Sequence, residues 1–152
     1  MKRREKAVVF LATGFYAGNI PFAPGTMGSV VGLAFCFFLS GIELPLALIP
    51  AVLFILFSMR IAHLAEKIIK KKDPGCIVID EIAGMLVTFV GLPFNLITVV
   101  IGFIIFRILD IIKPFPIRAM EKRISGGIGV VADDIVAGIF ANFLLRIILI
   151  FF

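Results

Sequence analysis

No charged residue occurs between Lys6 and Glu43, and none between Glu81 and Arg107. These two uncharged intervals constrain the chain more than any other feature. A water-soluble domain carries about 25% charged residues; here 16% are charged, 61% are hydrophobic, and the mean hydropathy is +1.17. A disordered chain could not be so apolar. Neither interval is a simple span. Gly14 to Gly25 (Gly-Phe-Tyr-Ala-Gly-Asn-Ile-Pro-Phe-Ala-Pro-Gly) has the Gly and Pro content of a loop, and Gly91-Leu-Pro93 interrupts the second interval near its middle. The expectation is an all-α, compact helical membrane protein, one domain over residues 1–152, with several apolar helices. Nucleic acid is not an expected partner, despite a net charge of +5.

The chain then divides by charge. Met1 to Lys6 reads as a cytosolic end, because Ala7 to Ala12 is too short for a signal-peptide core. A short helix precedes the Gly14–Gly25 loop. Met27 to Ser40 and Leu46 to Met59 are expected as two helices paired in a hairpin about a tight turn at Gly41–Pro45. Arg60 to Lys72 reads as a solvated basic helix on the cytoplasmic side, with affinity for anionic headgroups as a second role. Ile82 to Phe106 is long enough to cross a bilayer. A single crossing would place the basic segment Arg107–Arg123 opposite the first one. A bent or re-entrant hairpin at 91–93 returns both to one side and is the expectation. Ile135 to Phe152 is a last apolar helix whose Arg146 is placed to snorkel.

Polar chemistry is scarce, so its placement is informative. Cys36, Cys76 and the lone His63 give neither a disulfide framework nor a zinc site. Of ten acidic residues, Asp80, Glu81, Asp110, Asp133 and Asp134 abut strongly apolar segments. Carboxylates there are costly unless paired, hydrated or metal-bound. Asp80, Gly84, Thr88 and Gly91 share one helical face, as do Asp134, Gly138, Ala141 and Asn142. Both are stripes of small residues headed by an acid. Packing alone explains small stripes, yet close approach would also bring the acids together. Arg107, Asp110 and Lys113 form a plus-minus-plus stripe that stops at Pro114. Clustered carboxylates suit a hard cation such as Mg²⁺, which is commonly held by one or two carboxylates together with a substrate phosphate. Nearby Arg and Lys would take the remaining phosphate charge. Thr26 is the expected N-cap of the helix after the loop, whose free N–H groups would favour an anion.

Several nucleophile patterns are missing. Positions 42 and 82 are Ile, so neither Cys36 nor Cys76 begins a Cys-x5-Arg loop. There is no Asp-x-Asp triplet, no histidine-phosphatase motif and no Asp-Gly-x2-Ala-Arg. Metal-activated water attacking a phosphomonoester remains. Four blocks then match a family in order: Gly14 to Ser29, Asp80-Glu-Ile-Ala-Gly84, Phe106-Arg-Ile-Leu-Asp-Ile-Ile-Lys-Pro-Phe-Pro-Ile117, and Gly126-Gly-Ile-Gly-Val-Val-Ala-Asp-Asp-Ile-Val-Ala-Gly138. Together they resemble the phosphatidylglycerophosphatase A family.

The resemblance implies a Mg²⁺-dependent lipid phosphatase of the bacterial cytoplasmic membrane, with its active site facing the cytoplasm. Phosphatidylglycerophosphate would be the substrate, and phosphatidylglycerol and phosphate the products. It implies Asp80, Glu81, Asp110, Asp133 and Asp134 as the acidic site, with Arg107, Lys113, Thr26 and Ser29 added for phosphate. Asp80, Asp110 and Asp134, together with Glu81, are the metal-ligand candidates; Glu81 or Asp133 would orient or deprotonate the water. Two alternatives stand beside this reading: a small ion-coupled transporter, which predicts acids in mid-membrane, and a phosphatase for another lipid phosphomonoester.

Overall fold

The computed structural model describes residues 2–119 and 126–151, and the regular structure among them is entirely helical. In chain order the helices are α1 (Arg3–Ala12), a 3-10 turn at Ala17–Asn19, α2 (Pro24–Leu39), α3 (Leu44–Ile69), α4 (Ile79–Phe89), α5 (Leu96–Ile112) and α6 (Gly127–Leu149). Lys122 and Arg123 of the second basic segment lie outside the described residues.

α4 and α6 form the centre. The Cβ that Gly138 lacks would stand 2.5 Å from the Gly84 carbonyl oxygen, and one on Gly84 would stand 2.9 Å from the Asp134 carbonyl oxygen. The two backbones therefore touch, which only small residues permit. Further along, the Asn142 side chain donates to the Thr88 carbonyl at 2.9 Å. These contacts advance together, so the helices run parallel and the two small-residue stripes lie face to face. α5 folds back on α4: Gly84 meets the Phe106 ring and Gly102 meets the Phe89 ring. The hairpin expected at 91–93 is present, with Gly91 at φ 69° in the turn, a conformation glycine adopts without strain. Phe89, Phe106, Met85, Ala137, Ala141 and Leu145 fill the core between these three helices.

Three sequence expectations are corrected. First, α2 and α3 are not a paired hairpin. α2 packs chiefly on α4, while α3 packs on α1, α4 and α6. Gly28 lies against Val78, and Gly32 against Ile82 and Met85. A glycine face gives α2 a closer fit to α4 than any leucine-rich face of α3 could offer. Second, Leu46–Met59 and the basic segment as far as Ile69 are one helix, α3, and Lys70 to Lys72 lie beyond its end. Pro45 is accommodated in its first turn, Pro50 removes a single ladder hydrogen bond, and the helix ends at Lys70 in the left-handed region. Third, α6 begins at Gly127, not Ile135, because Ala132, Asp133 and Asp134 continue its pattern without a break.

α3 and α6 are each long and apolar enough to cross a membrane. At 1.5 Å per residue, α3 is about 39 Å long and α6 about 35 Å, against a hydrocarbon core of about 30 Å. Only 22% of the most apolar window of α3 is buried inside the protein, against 56% for α6. α3 is thus an outer helix and α6 a central one. Phe37, Phe38, Leu46, Leu53 and Ile104, together with Phe143 on the outer side of α6, are among many large apolar side chains left exposed. So large an apolar surface fits lipid rather than water.

Candidate active site

The parallel and antiparallel directions gather the polar residues at one end of the bundle. The N-termini of α2, α4 and α6 lie there, with the C-terminal ends of α3 and α5. Asp80 and Glu81 occupy the first turn of α4, where free N–H groups favour negative charge. Asp133 and Asp134 lie in the second turn of α6. Because α6 runs parallel to α4 and touches it at Gly84 and Gly138, Asp134 arrives beside Asp80. Asp110 comes from the last turn of α5. Lys113 ends that helix in the left-handed conformation at φ 47°, ahead of Pro114.

These residues line a cavity of about 200 Å³, whose wall includes Asp80, Glu81, Asp110, Lys113, Asp133 and Asp134. Asp73 and Gly75, in the loop after α3, complete one side. Asp80, Glu81 and Asp134 each offer an oxygen within 4.8 Å of the others. Asp80 Oδ1, Glu81 Oε2 and Asp134 Oδ2 are buried without a hydrogen-bond partner. Buried carboxylate oxygens are normally satisfied, so orphan oxygens on three residues that can each bring an oxygen within 4.8 Å of the others fit a bound cation. With only oxygen ligands, and with neither His nor Cys in the trio, a hard divalent cation suits the site.

Burial raises the Asp80 carboxyl well above its ordinary value, and the neighbouring charges of Glu81 and Asp134 raise it further. Burial raises Glu81 too, offset in part by a hydrogen bond with Asp80. A cation would relieve these penalties in both groups.

Two cations flank the acids. Arg107 is ion-paired with Asp110, and its Nη1 also donates to Ser29 Oγ at 3.4 Å. Lys113 turns away from its own helix and pairs with Asp133 of α6. The left-handed end of α5 carries the lysine toward α6. Gly25, in the first turn of α2, rests directly on the Glu81 carboxylate and the Arg107 guanidinium, leaving no room for a Cβ.

The two hydroxyls proposed from sequence end up differently. Ser29 is fully buried and donates to the Gly25 carbonyl at 2.9 Å, so it braces Arg107 and does not line the cavity. Thr26 is not the N-cap of α2. That position is Ala23, left-handed at φ 48°, with Pro24 at the start of the helix and no side-chain cap. Proline's fixed φ starts the helix earlier than the threonine signal suggested, and Thr26 is not among the residues lining the cavity. Asp73, Gly75 and Gly25 are the residues that sequence reasoning missed. The Pro74-Gly75 turn just ahead of Asp80, and the glycine run 25, 28, 32, were the available signals.

The acids thus sit at helix ends beside cations, which disfavours the mid-membrane placement a transporter would need. Comparison with known proteins points the same way. The profile of the family described as Phosphatidylglycerophosphatase A matches residues 10–149. A phosphatidylglycerophosphatase A of Escherichia coli (strain K12) is 41% identical over 130 residues, 85% of this chain and 76% of that protein. The Haemophilus influenzae protein of the same name is 34% identical over 139 residues, 86% of this chain and 82% of its own length. A Bacteroides thetaiotaomicron protein with the provisional name phosphatidylinositol-3-phosphatase is 35% identical, covering 97% of this chain and 96% of its own. No solved structure gives a significant match. Since the profile takes in every element that contributes a carboxylate to the cavity, the chain belongs to the phosphatidylglycerophosphatase A family.

Proposed function

We propose that the protein hydrolyses the phosphomonoester of phosphatidylglycerophosphate, releasing phosphatidylglycerol and inorganic phosphate. The observation that carries the reading is the trio of orphaned carboxylate oxygens on Asp80, Glu81 and Asp134, flanked by two cationic side chains. Those three residues would hold Mg²⁺, with Asp110 beside them. The ion would supply Lewis-acid polarisation of the phosphoryl group and a more acidic water.

The chain's own residues do the rest. Lys113, in the cavity wall, offsets the negative charge of the terminal phosphate directly. Arg107, behind the wall on Asp110, adds its charge from there, and the N-termini of α2 and α4 add their partial positive charge. Asp133 lines the cavity and stands outside the trio, so it orients the attacking water and takes its proton. The water oxygen bonds to phosphorus, the bond from phosphorus to the glycerol oxygen breaks, and that oxygen leaves with a proton as the alcohol. Ser29 and Gly25 keep Arg107 and Glu81 in register.

The protein resides in the cytoplasmic membrane with this end of the bundle toward the cytoplasm. Arg60, Lys67, Lys70, Lys71, Lys72 and Lys113 all lie at the acid end, in keeping with the excess of positive charge on cytoplasmic segments. A second substrate is favoured by one observation: the relative named for phosphatidylinositol 3-phosphate matches along almost its whole length.

The test is phosphate release by the full-length protein in mixed micelles, with phosphatidylglycerophosphate, phosphatidylinositol 3-phosphate and phosphatidic acid offered separately. Release from the first, abolished by EDTA and restored by Mg²⁺, is expected. Metal-independent release, or faster turnover of either other lipid, would overturn the assignment.

A further inference from the structure

We propose that the outer face of α3 from Leu56, continued by the lysines just past its end, is a docking site for an anionic phospholipid of the bilayer, separate from the acid cavity. Two hollows meet there. One, of about 350 Å³, is lined by Leu56, Met59, Arg60, His63, Gly127 and Ile128. The next, of about 260 Å³, shares His63 and is lined by Lys67, Lys70, Lys71 and Lys72, with Glu66 and Gly126. Leu56, Arg60, His63 and Lys67 recur at steps of four, three and four, so they form one stripe along the helix. That stripe is apolar at its start and cationic at its end.

Its position matches an amphiphile. The exposed apolar face of α3 includes Ile49, Val52, Leu53 and Leu56, and the charges begin at Arg60, where the helix would leave the hydrocarbon. Glu66, the only acid among the described residues that line either hollow, balances at most one of the five cations there. It is 8% exposed, and its Oε1 accepts the backbone N–H of Asp73 at 2.8 Å. The cations therefore present an unbalanced positive surface directly above an apolar groove. An acyl chain along Leu56, Met59 and Ile128, with a phosphodiester among Arg60, Lys67 and Lys70, satisfies both halves. Free phosphate would satisfy only the second.

The measurement is lipid retention by the full-length protein in detergent, read by native mass spectrometry and by the thermal midpoint. Cardiolipin, phosphatidylcholine and inorganic phosphate are added separately. Cardiolipin has no phosphomonoester, so the result does not depend on the phosphatase reading. Wild type should retain cardiolipin well above phosphatidylcholine, and the triple variant R60Q/K67Q/K70Q should lose that preference, by about fivefold for each cation removed. Single variants, each with a partial loss, serve if the triple variant does not fold. Equal retention of both lipids by wild type, an unchanged preference in the variants, or equal stabilisation by inorganic phosphate would overturn the proposal.

Discussion

The α4–α6 contact has two ends, and they treat polar groups in opposite ways. At the acid end, Asp80, Glu81 and Asp134 carry buried oxygens with no hydrogen-bond partner. At the turn end, Asn142 Nδ2 donates to the carbonyls of Val87, Thr88 and Val90 at 3.3, 2.9 and 3.1 Å. Arg146, expected to snorkel, donates from Nη2 to Val90 and Gly91 at 3.3 Å and from Nε to Asn142 Oδ1 at 2.8 Å. There α6 caps the C-terminus of α4, satisfying carbonyls that a helix end leaves open, with a cation at the negative pole of the helix dipole. The same register produces a fully paired clasp at one end and an unsatisfied cluster at the other. Pairing marks structure; the orphans mark a place for a ligand.

The largest expected effect breaks the acid end alone. D80N or D134N should lower turnover of phosphatidylglycerophosphate by about a thousandfold, the several kcal/mol that a catalytic cation supplies. The thermal midpoint in EDTA should not fall, because a neutral amide in place of a buried acid adds no charge to the folded protein. Lost stability together with retained turnover would reverse the roles of the two ends.

Breaking the clasp should do the opposite. The Asn142 amide has two hydrogens to share among the carbonyls of Val87, Thr88 and Val90, so N142A removes two hydrogen bonds, a loss of about 2 kcal/mol at about 1 kcal/mol per hydrogen bond. Thermal or denaturant unfolding in detergent checks this, and the Mg²⁺ concentration for half-maximal activity should stay as in wild type. G138A tests the shared register. Its new methyl would press on the Gly84 backbone, costing about 1–3 kcal/mol. By separating Asp134 from Asp80, it should also weaken Mg²⁺ activation, which N142A does not.

The smallest effect is on pH dependence. Asp80 has its folded value raised, so the metal-free protein binds a proton that the unfolded chain has already released. Stability from this group is full below the ordinary carboxylate range and falls as pH rises through the raised folded value, by at most about 1.4 kcal/mol per pH unit. Saturating Mg²⁺ should flatten that slope, because the ion takes the proton's place. An unfolding series across pH, with and without Mg²⁺, reads it directly; a slope unchanged by the ion would remove Asp80 from the ligand set.

Much of this was legible along the chain. Asp80 and Asp134 head stripes of small residues, and helical periodicity alone puts Gly84 and Gly138 behind them. The break at Gly91–Pro93 announced the α4–α5 hairpin, because a turn there is a local property. The partner of α2 was not legible. Pairing follows shape, and only the packed fold reveals that Gly28 and Gly32 take Val78 and Met85, leaving α3 on another side. Asp73 was missed because nothing local distinguishes it from an ordinary turn residue; the loop after α3 has to return to α4 before it reaches the cavity. Thr26 was misread because a good capping residue competes with Pro24, whose fixed φ starts the helix first.

Composition and periodicity by themselves determined an all-helical chain suited to lipid, with its few carboxylates stationed at the edges of apolar segments. Both follow from local physics: charge is excluded from hydrocarbon, and side-chain spacing fixes which residues share a face. Which carboxylates converge, which cation serves which acid, and which polar groups are left unpaired were decided only by the tertiary structure. Those outcomes depend on helix direction and on backbone contact at Gly84 and Gly138, between residues more than fifty positions apart in the chain.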